Sequence, residues 1–176
     1  MDRTAVFVDA GYVFASGSKL IAGQKLARSQ LLLDYDVLLQ LLLQQTAALT
    51  GLPLLRVYWY DGASAGPNPA QVALAYRPNV KLRLGQVDAD GQRGVDELLA
   101  RDLTTLSQNH AMASALLLTG DDDLRPALEQ AQDFGVRVHL LGIAPARENQ
   151  AASLVQAADG VRELSEDELR SFLSKR

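Results

Sequence analysis

The chain has no cysteine among its 176 residues. Disulfides, thiolate nucleophiles and cysteine-held zinc are therefore excluded, and a reducing, cytoplasmic setting is expected. Histidine is nearly as scarce, with two residues. His139 falls in an apolar strand segment and His110 in a polar loop, so both read as structural, and no Ser-His-Asp triad is legible. No uncharged apolar run approaches the roughly 20 residues of a membrane-spanning helix. Met1-Asp2-Arg3-Thr4 passes straight into a strand, without the basic, apolar and small-residue regions of a signal peptide. No membrane partner is expected. An excess of positive charge is also missing: 17 Lys and Arg face 21 Asp and Glu, a net charge of −4. Proteins that coat nucleic acid by bulk charge are basic. Any contact with a phosphodiester here must rest on a local basic patch or on bound metal.

What is present is ordinary for a globular chain, with 48% apolar and 22% charged residues. The length suits one domain spanning 1–176. Apolar strand segments alternate with helical spacings, the pattern of a parallel sheet wrapped in helices. Strands are expected at Thr4 to Asp9, Leu54 to Asp61, Val80 to Val87, Ala115 to Thr119 and Val136 to Leu141. Helices are expected at Leu31 to Leu49, Pro69 to Tyr76, Val95 to Gln108 and Leu124 to Phe134, with a capping box at Ser165 to Glu168 opening a last one. The expected fold is a three-layer α/β/α domain whose mostly parallel sheet has about five strands.

The first strand ends in Asp9, and the fourth ends in Thr119-Gly120 followed by Asp121-Asp122-Asp123. Ligands of open parallel sheets bind outside the carboxyl ends of the strands, where strand order reverses. If these two strands are neighbours, about 4.8 Å apart, Asp9 and Asp121 can share one divalent cation. A single aspartate at a helix start needs no function, because it caps free N–H groups. Three in a row opposite a fourth repel one another for little capping gain. Asp96 lies in the first turn of its helix beside a glycine-containing loop. Asp102 lies six residues on, about 120° away round the helix, and reads equally as a partner of Arg101 or Arg125.

These residues resemble a known family. Val6-Phe7-Val8-Asp9-Ala10-Gly11-Tyr12, Gln92-Arg93-Gly94-Val95-Asp96 with Asp102-Leu103, Thr119-Gly120-Asp121-Asp122-Asp123-Leu124, and Ser153-Leu154 with Ala158-Asp159 are similar, in that order, to the NYN domain. That is the LabA-like branch of the PIN-like nuclease superfamily. The resemblance implies an acidic pocket that holds Mg2+ or Mn2+ and cleaves RNA. Asp9, Asp96, Asp121 and Asp123 would be the catalytic and metal-holding set, with Asp102 and Asp122 as outer candidates. Three positions depart from the family pattern. Tyr12 stands for its usual asparagine, Arg93 for its lysine, and Thr119 to Leu124 for Ser-Gly-Asp-Ser-Asp-Phe.

The chemistry agrees, since hard cations held by carboxylates activate water and neutralise a leaving oxygen without histidine or cysteine. Lys19, Lys25, Arg28, Arg93, Arg101 and Arg125 flank the acidic segments as a candidate basic rim, with Lys25, Arg28 and Arg93 as the RNA contacts. Gly11 to Lys19 is not a P-loop, because its spacing breaks that rule. A phospho-acceptor receiver domain is set aside, lacking a paired acid after the first strand and a lysine after the fifth. Two readings stay open. One is a metal-dependent ribonuclease acting on single-stranded or structured RNA. The other, kept alive by Tyr12, is a non-catalytic member that binds RNA or protein. Homodimerisation is left open.

Overall fold

A computed structural model describes residues 2–87 and 93–176, the side chain of Arg93 excepted. The chain alternates strands and helices: β1 (Thr4–Asp9), α1 (Ala10–Ala22), β2 (Leu31–Leu33), α2 (Tyr35–Thr50), β3 (Leu54–Ala63), α3 (Pro69–Ala75), β4 (Val80–Gln86) and α4 (Arg93–Gln108). It continues through β5 (Ser114–Leu118), α5 (Arg125–Asp133), β6 (Arg137–Ile143), α6 (Ala152–Ala157), β7 (Gly160–Leu164), α7 (Glu166–Phe172) and β8 (Leu173–Lys175). Six strands form one sheet in the order β4-β3-β1-β5-β6-β7, and every adjacent pair in it is parallel. The chain starts in the middle and builds outward on both sides. Strand order therefore reverses at β1 and β5, where a parallel sheet opens its crevice.

β1 and β5 are buried at every position, which is why they read as continuous apolar runs rather than alternating ones. Side chains of successive residues enter two cores on opposite faces. Val6, Val8, Val57, Trp59, Leu116 and Leu118 pack with α1, α2 and α7. Ala5, Phe7, Tyr58, Tyr60 and Leu117 pack with α4, α5 and α6. On that second face Phe7 stacks on Tyr58 at 5.3 Å and on Tyr60 at 6.2 Å between ring centroids. Tyr58, Trp59 and Tyr60 of β3 are all buried, Trp59 on the opposite face from the two tyrosines.

Three elements differ from expectation. The leucine-rich segment from Leu31 does not enter its helix at once: Leu31–Leu33 pairs antiparallel with Leu173–Lys175 at the other end of the chain. Leu31 and Leu33 are buried and Leu32 is 52% exposed, so period two wins there. Asp34 then caps α2, accepting from Val37 N at 3.1 Å. The stretch from Ala10, for which no element is expected above, is a full helix. Its Gly17 lies against the chain's end, where a Cβ would come within 2.5 Å of Leu173 Cδ2. Finally, β7 is a sixth strand at the sheet's edge, exposed through Val161, Arg162 and Glu163 and so without an apolar signature. Among the described residues, no helix is long and apolar enough to cross a membrane.

Candidate functional site

Asp9 is the last residue of β1 and the N-cap of α1. One carboxylate oxygen accepts from Tyr12 N at 3.2 Å and the other from the Thr119 hydroxyl at 3.0 Å. Thr119 follows β5, which pairs with β1 in parallel register from Thr4↔Ser114 to Val8↔Leu118. The expected adjacency of the two aspartate-bearing strand ends is thus present. Burial pushes the Asp9 carboxyl above its ordinary range, and the charge of Asp121 adds to the effect. Hydrogen bonds from Tyr12 N and Thr119 work the other way.

Asp121 caps a single turn spanning Asp122–Leu124, and its Oδ1 accepts from Asp123 N at 3.0 Å. Asp96 stands in the first turn of α4, half-buried, with Asp121 as its nearest acidic neighbour. Burial, the closeness of Asp121 and the charges of Asp9, Asp121 and Asp123 together push the Asp96 carboxyl up to about 8. The four acids of the sequence reading are therefore electrostatic neighbours at the carboxyl edge of the sheet. Among the described residues no group of three or more aspartate, glutamate or histidine side chains lies close enough to hold a metal ion as the side chains stand.

The outer candidates are held elsewhere. Asp122 is exposed and pairs with the Ser153 hydroxyl. Asp102 accepts from the Tyr60 hydroxyl at 2.9 Å and from Arg83 Nε and Nη2 at 2.9 and 3.1 Å. Arg101 reaches it only at 3.7 Å, while Arg125 pairs with Glu129 instead. The partner of Asp102 is thus Arg83 rather than Arg101 or Arg125. The pairing of β4 with β3 sets Arg83 opposite Tyr60, and no local spacing reveals that. His139 has Arg137 and Asp159 as its charged neighbours, not the acidic cluster.

Of the basic rim, Lys25 is exposed, and the side chain of Arg93 lies outside the described residues. Arg28 is already engaged. Its guanidinium lies 4.5 Å from the Phe14 ring centroid and donates to both oxygens of buried Asp61 at 2.7 and 2.8 Å. Asp61 also accepts from Gln71 Nε2 at 2.9 Å and from Gly62 N at 2.8 Å. Asp61→Ala would strand these donors. Breaking a fully buried pair costs about 3–5 kcal/mol. With 37% of the Arg28 side chain in water, about 2 kcal/mol is expected after screening. Urea unfolding checks this, and an unchanged midpoint would mean the pair carries no net stability.

Tyr12 does not point its hydroxyl at the acids. The hydroxyl donates to Asn149 Oδ1 at 2.6 Å and accepts from Ile143 N at 2.9 Å. Asn149 Nδ2 donates in turn to the Ile143 carbonyl at 2.8 Å. The loop after β6 grips the end of β5 from the same side. Gln150 Nε2 donates to Thr119 O at 2.8 Å, and Ala151 N donates to Gly120 O at 3.1 Å. Gly120 fits because it has no side chain: a Cβ would collide with the Asn149 carbonyl and come within 2.9 Å of Tyr12 Cε2. Gly120→Ala should therefore cost about 1–3 kcal/mol through overpacking and shift Asp121. A variant with wild-type melting temperature would show that the loop yields freely.

A parallel sheet with aspartates at β1, β5 and the start of α4 is the arrangement implied by the motif order. The decisive comparison is that the description "NYN domain" matches residues 3–165. The chain belongs to the NYN domain family. As an NYN domain it falls in the PIN-like nuclease superfamily, whose members generally act on nucleic acids and usually use divalent metals. An uncharacterized protein of Sinorhizobium fredii, y4oD, is 45% identical over 107 residues, covering 60% of this chain and 50% of that protein. The chain thus spans about half the length of the curated relative it matches.

Proposed function

We propose that this NYN domain, folded as one unit over 1–176, is a metal-dependent ribonuclease. Its reaction would be hydrolysis of RNA phosphodiesters at the Asp9, Asp96, Asp121 and Asp123 cluster. The observation that supports the reading is that Asp9, Asp121 and Asp123 all raise the Asp96 carboxyl by their charge, beside the strand-order reversal at β1 and β5. The donor set is all carboxylate oxygen, which suits Mg2+ or Mn2+ and no softer metal. When bound, such cations supply a more acidic water and neutralise charge on the leaving oxygen.

The chain's own residues do the positioning. Asp9 is locked in one rotamer by Tyr12 N and the Thr119 hydroxyl, so it presents its carboxylate without paying rotamer entropy on binding. Asp96 reaches the cluster from α4, and Asp121 and Asp123 from the turn after β5. The Tyr12–Asn149 bond and the Gln150 and Ala151 contacts hold that turn against β1. Tyr12 thereby has a supporting role, leaving the acids themselves to meet the substrate.

The test is incubation of the purified chain with unstructured and hairpin RNAs in Mn2+, Mg2+ or EDTA. Cleavage that requires the cation and stops with EDTA is the expected result. RNA that is bound but left intact in every metal would instead support the non-catalytic reading.

A further inference from the structure

We infer that the groove between α4 and the outer strands β3 and β4 binds single-stranded RNA, gripping its phosphates with Arg56 and Lys81. The inference rests on the proposed ribonuclease reading and adds to it a binding surface for the substrate. An acidic chain with four clustered aspartates repels a polyanion, so a substrate path needs local positive charge beside the cluster.

The groove supplies it. Its lining includes Arg56, Tyr58, Lys81, Arg83, Asp102 and Thr105, around a cavity of about 170 Å³. Three cations there face one anion, Asp102. Strand register puts them on one face. Lys81 lies opposite Tyr58 and Arg83 opposite Tyr60, and Tyr60 lies opposite Asp9 on the next strand. Arg83, Tyr60 and Asp9 therefore form one row across the sheet, about 10 Å from end to end at the usual strand spacing, with Tyr60 buried beneath α4 between the other two. Lys81 and then Arg56 continue the line of charge down the same face, away from the cluster, because alternate residues of a strand are about 6.6 Å apart.

The three cations are not equivalent. Arg83 is fixed and charge-paired by its two bonds to Asp102. Arg56 lies over the Tyr58 ring, 5.8 Å from its centroid, and donates to the Tyr58 hydroxyl at 3.3 Å. That leaves its other donors toward the groove. Lys81 is exposed and has no ion pair or hydrogen bond among the described residues. Arg56 and Lys81 are thus the pair available to phosphate oxygens. Tyr58 is 6% exposed, too little to stack on a base. The groove would hold backbone and be indifferent to sequence.

The test measures binding and chemistry separately. Binding of a fluorescein-labelled twelve-residue oligouridine is followed by anisotropy in EDTA, across a series of salt concentrations. Arg56→Ala/Lys81→Ala should raise Kd about tenfold or more at low salt. It should also flatten the plot of log K against log salt by about 1.4, since each single-strand phosphate contact contributes about 0.7. Arg137→Ala/Arg162→Ala, on β6 and β7 at the far side of the sheet, should change neither. Hydrolysis of bis(p-nitrophenyl) phosphate in Mn2+, a diester too small to span the groove, should be equal in wild type and groove variant.

If the groove variant binds with the wild-type Kd and slope while wild type cuts RNA, the groove is wrong and the nuclease reading stands. If the variant loses binding but wild type cuts neither RNA nor the small ester, the nuclease reading falls and the groove stands. A wild-type protein that fails to bind oligouridine at low salt overturns the inference outright. Should the double variant not fold, Lys81→Gln carries the same comparison, because that side chain is exposed and supports nothing.

Discussion

Asp121→Asn is expected to lower metal-dependent RNA cleavage by about a thousandfold or more, equivalent to roughly 4 kcal/mol of transition-state stabilisation. The carboxylate raises the carboxyls of both Asp96 and Asp9 by its charge. Removing its charge weakens the hold on any cation shared by the set. Asp9→Asn and Asp96→Asn should cost comparable amounts. A double variant should cost little more than either single one, because ligands of one site act as a unit. Folding should be spared at Asp121. Its local bond is acceptance from Asp123 N, and an asparagine oxygen makes the same cap. Circular dichroism and single-turnover cleavage of one RNA check both halves. Equal cleavage by wild type and Asp121→Asn would assign the activity to a contaminant.

The features legible in the sequence are those carried by local pattern. β1 and β5 are short, uninterrupted apolar runs ending in acids, so both the central strands and the aspartates were readable together. Whether they were neighbours depended on sheet order, and the β1–β5 ladder supplies that answer. Helix α1 was hidden because Gly11, Ser16, Gly17 and Ser18 give it a loop-like composition. Its ends are capped by Asp9 and by Gly23 in the left-handed region, and Gly17 lies against Leu173 and Leu169 from the end of the chain. The pairing of Leu31–Leu33 with Leu173–Lys175 was invisible because its partner is over a hundred residues away. β7 was missed because an exposed edge strand needs few apolar residues.

The same division holds within the site. Motif order and strand ends point to Asp9, Asp96, Asp121 and Asp123, and the charges of the other three act on Asp96. Arg28 and Asp102, whose charges looked available, are each committed to a partner contributed by β3 or β4. A surface charge in a sequence says nothing about such commitments. Tyr12 looked like a lesion because it departs from the family residue at a position three beyond Asp9. Its hydroxyl instead bonds to residues more than a hundred positions away and props up the turn that carries Asp121.

Millimolar Mn2+ is expected to raise the melting temperature of the wild-type chain by about 5–10 °C. A ligand that binds only the folded state at a hundred times its Kd adds about 2.7 kcal/mol. For a chain of this size each kcal/mol moves the midpoint by about 2–4 °C. The sign follows from the site: Asp9, Asp121 and Asp123 all act on Asp96 as like charges, and a cation converts that mutual repulsion into attraction. The unfolded chain scatters the four acids and gains nothing comparable. Asp9→Asn and Asp121→Asn should each lose most of the rise, and in EDTA each should melt at or above wild type, since one repelling charge is gone. Neutralising Asp36, an exposed acid paired with Arg77 on α2's side of the sheet, should leave the rise intact. Calcium offers a further separation, because it takes six to eight oxygens at longer distances and should stabilise less than manganese if the four acids form a compact site. A melting curve indifferent to manganese, with RNA cleavage also absent, would remove the metal site altogether; a rise that survives Asp121→Asn would move it to other carboxylates.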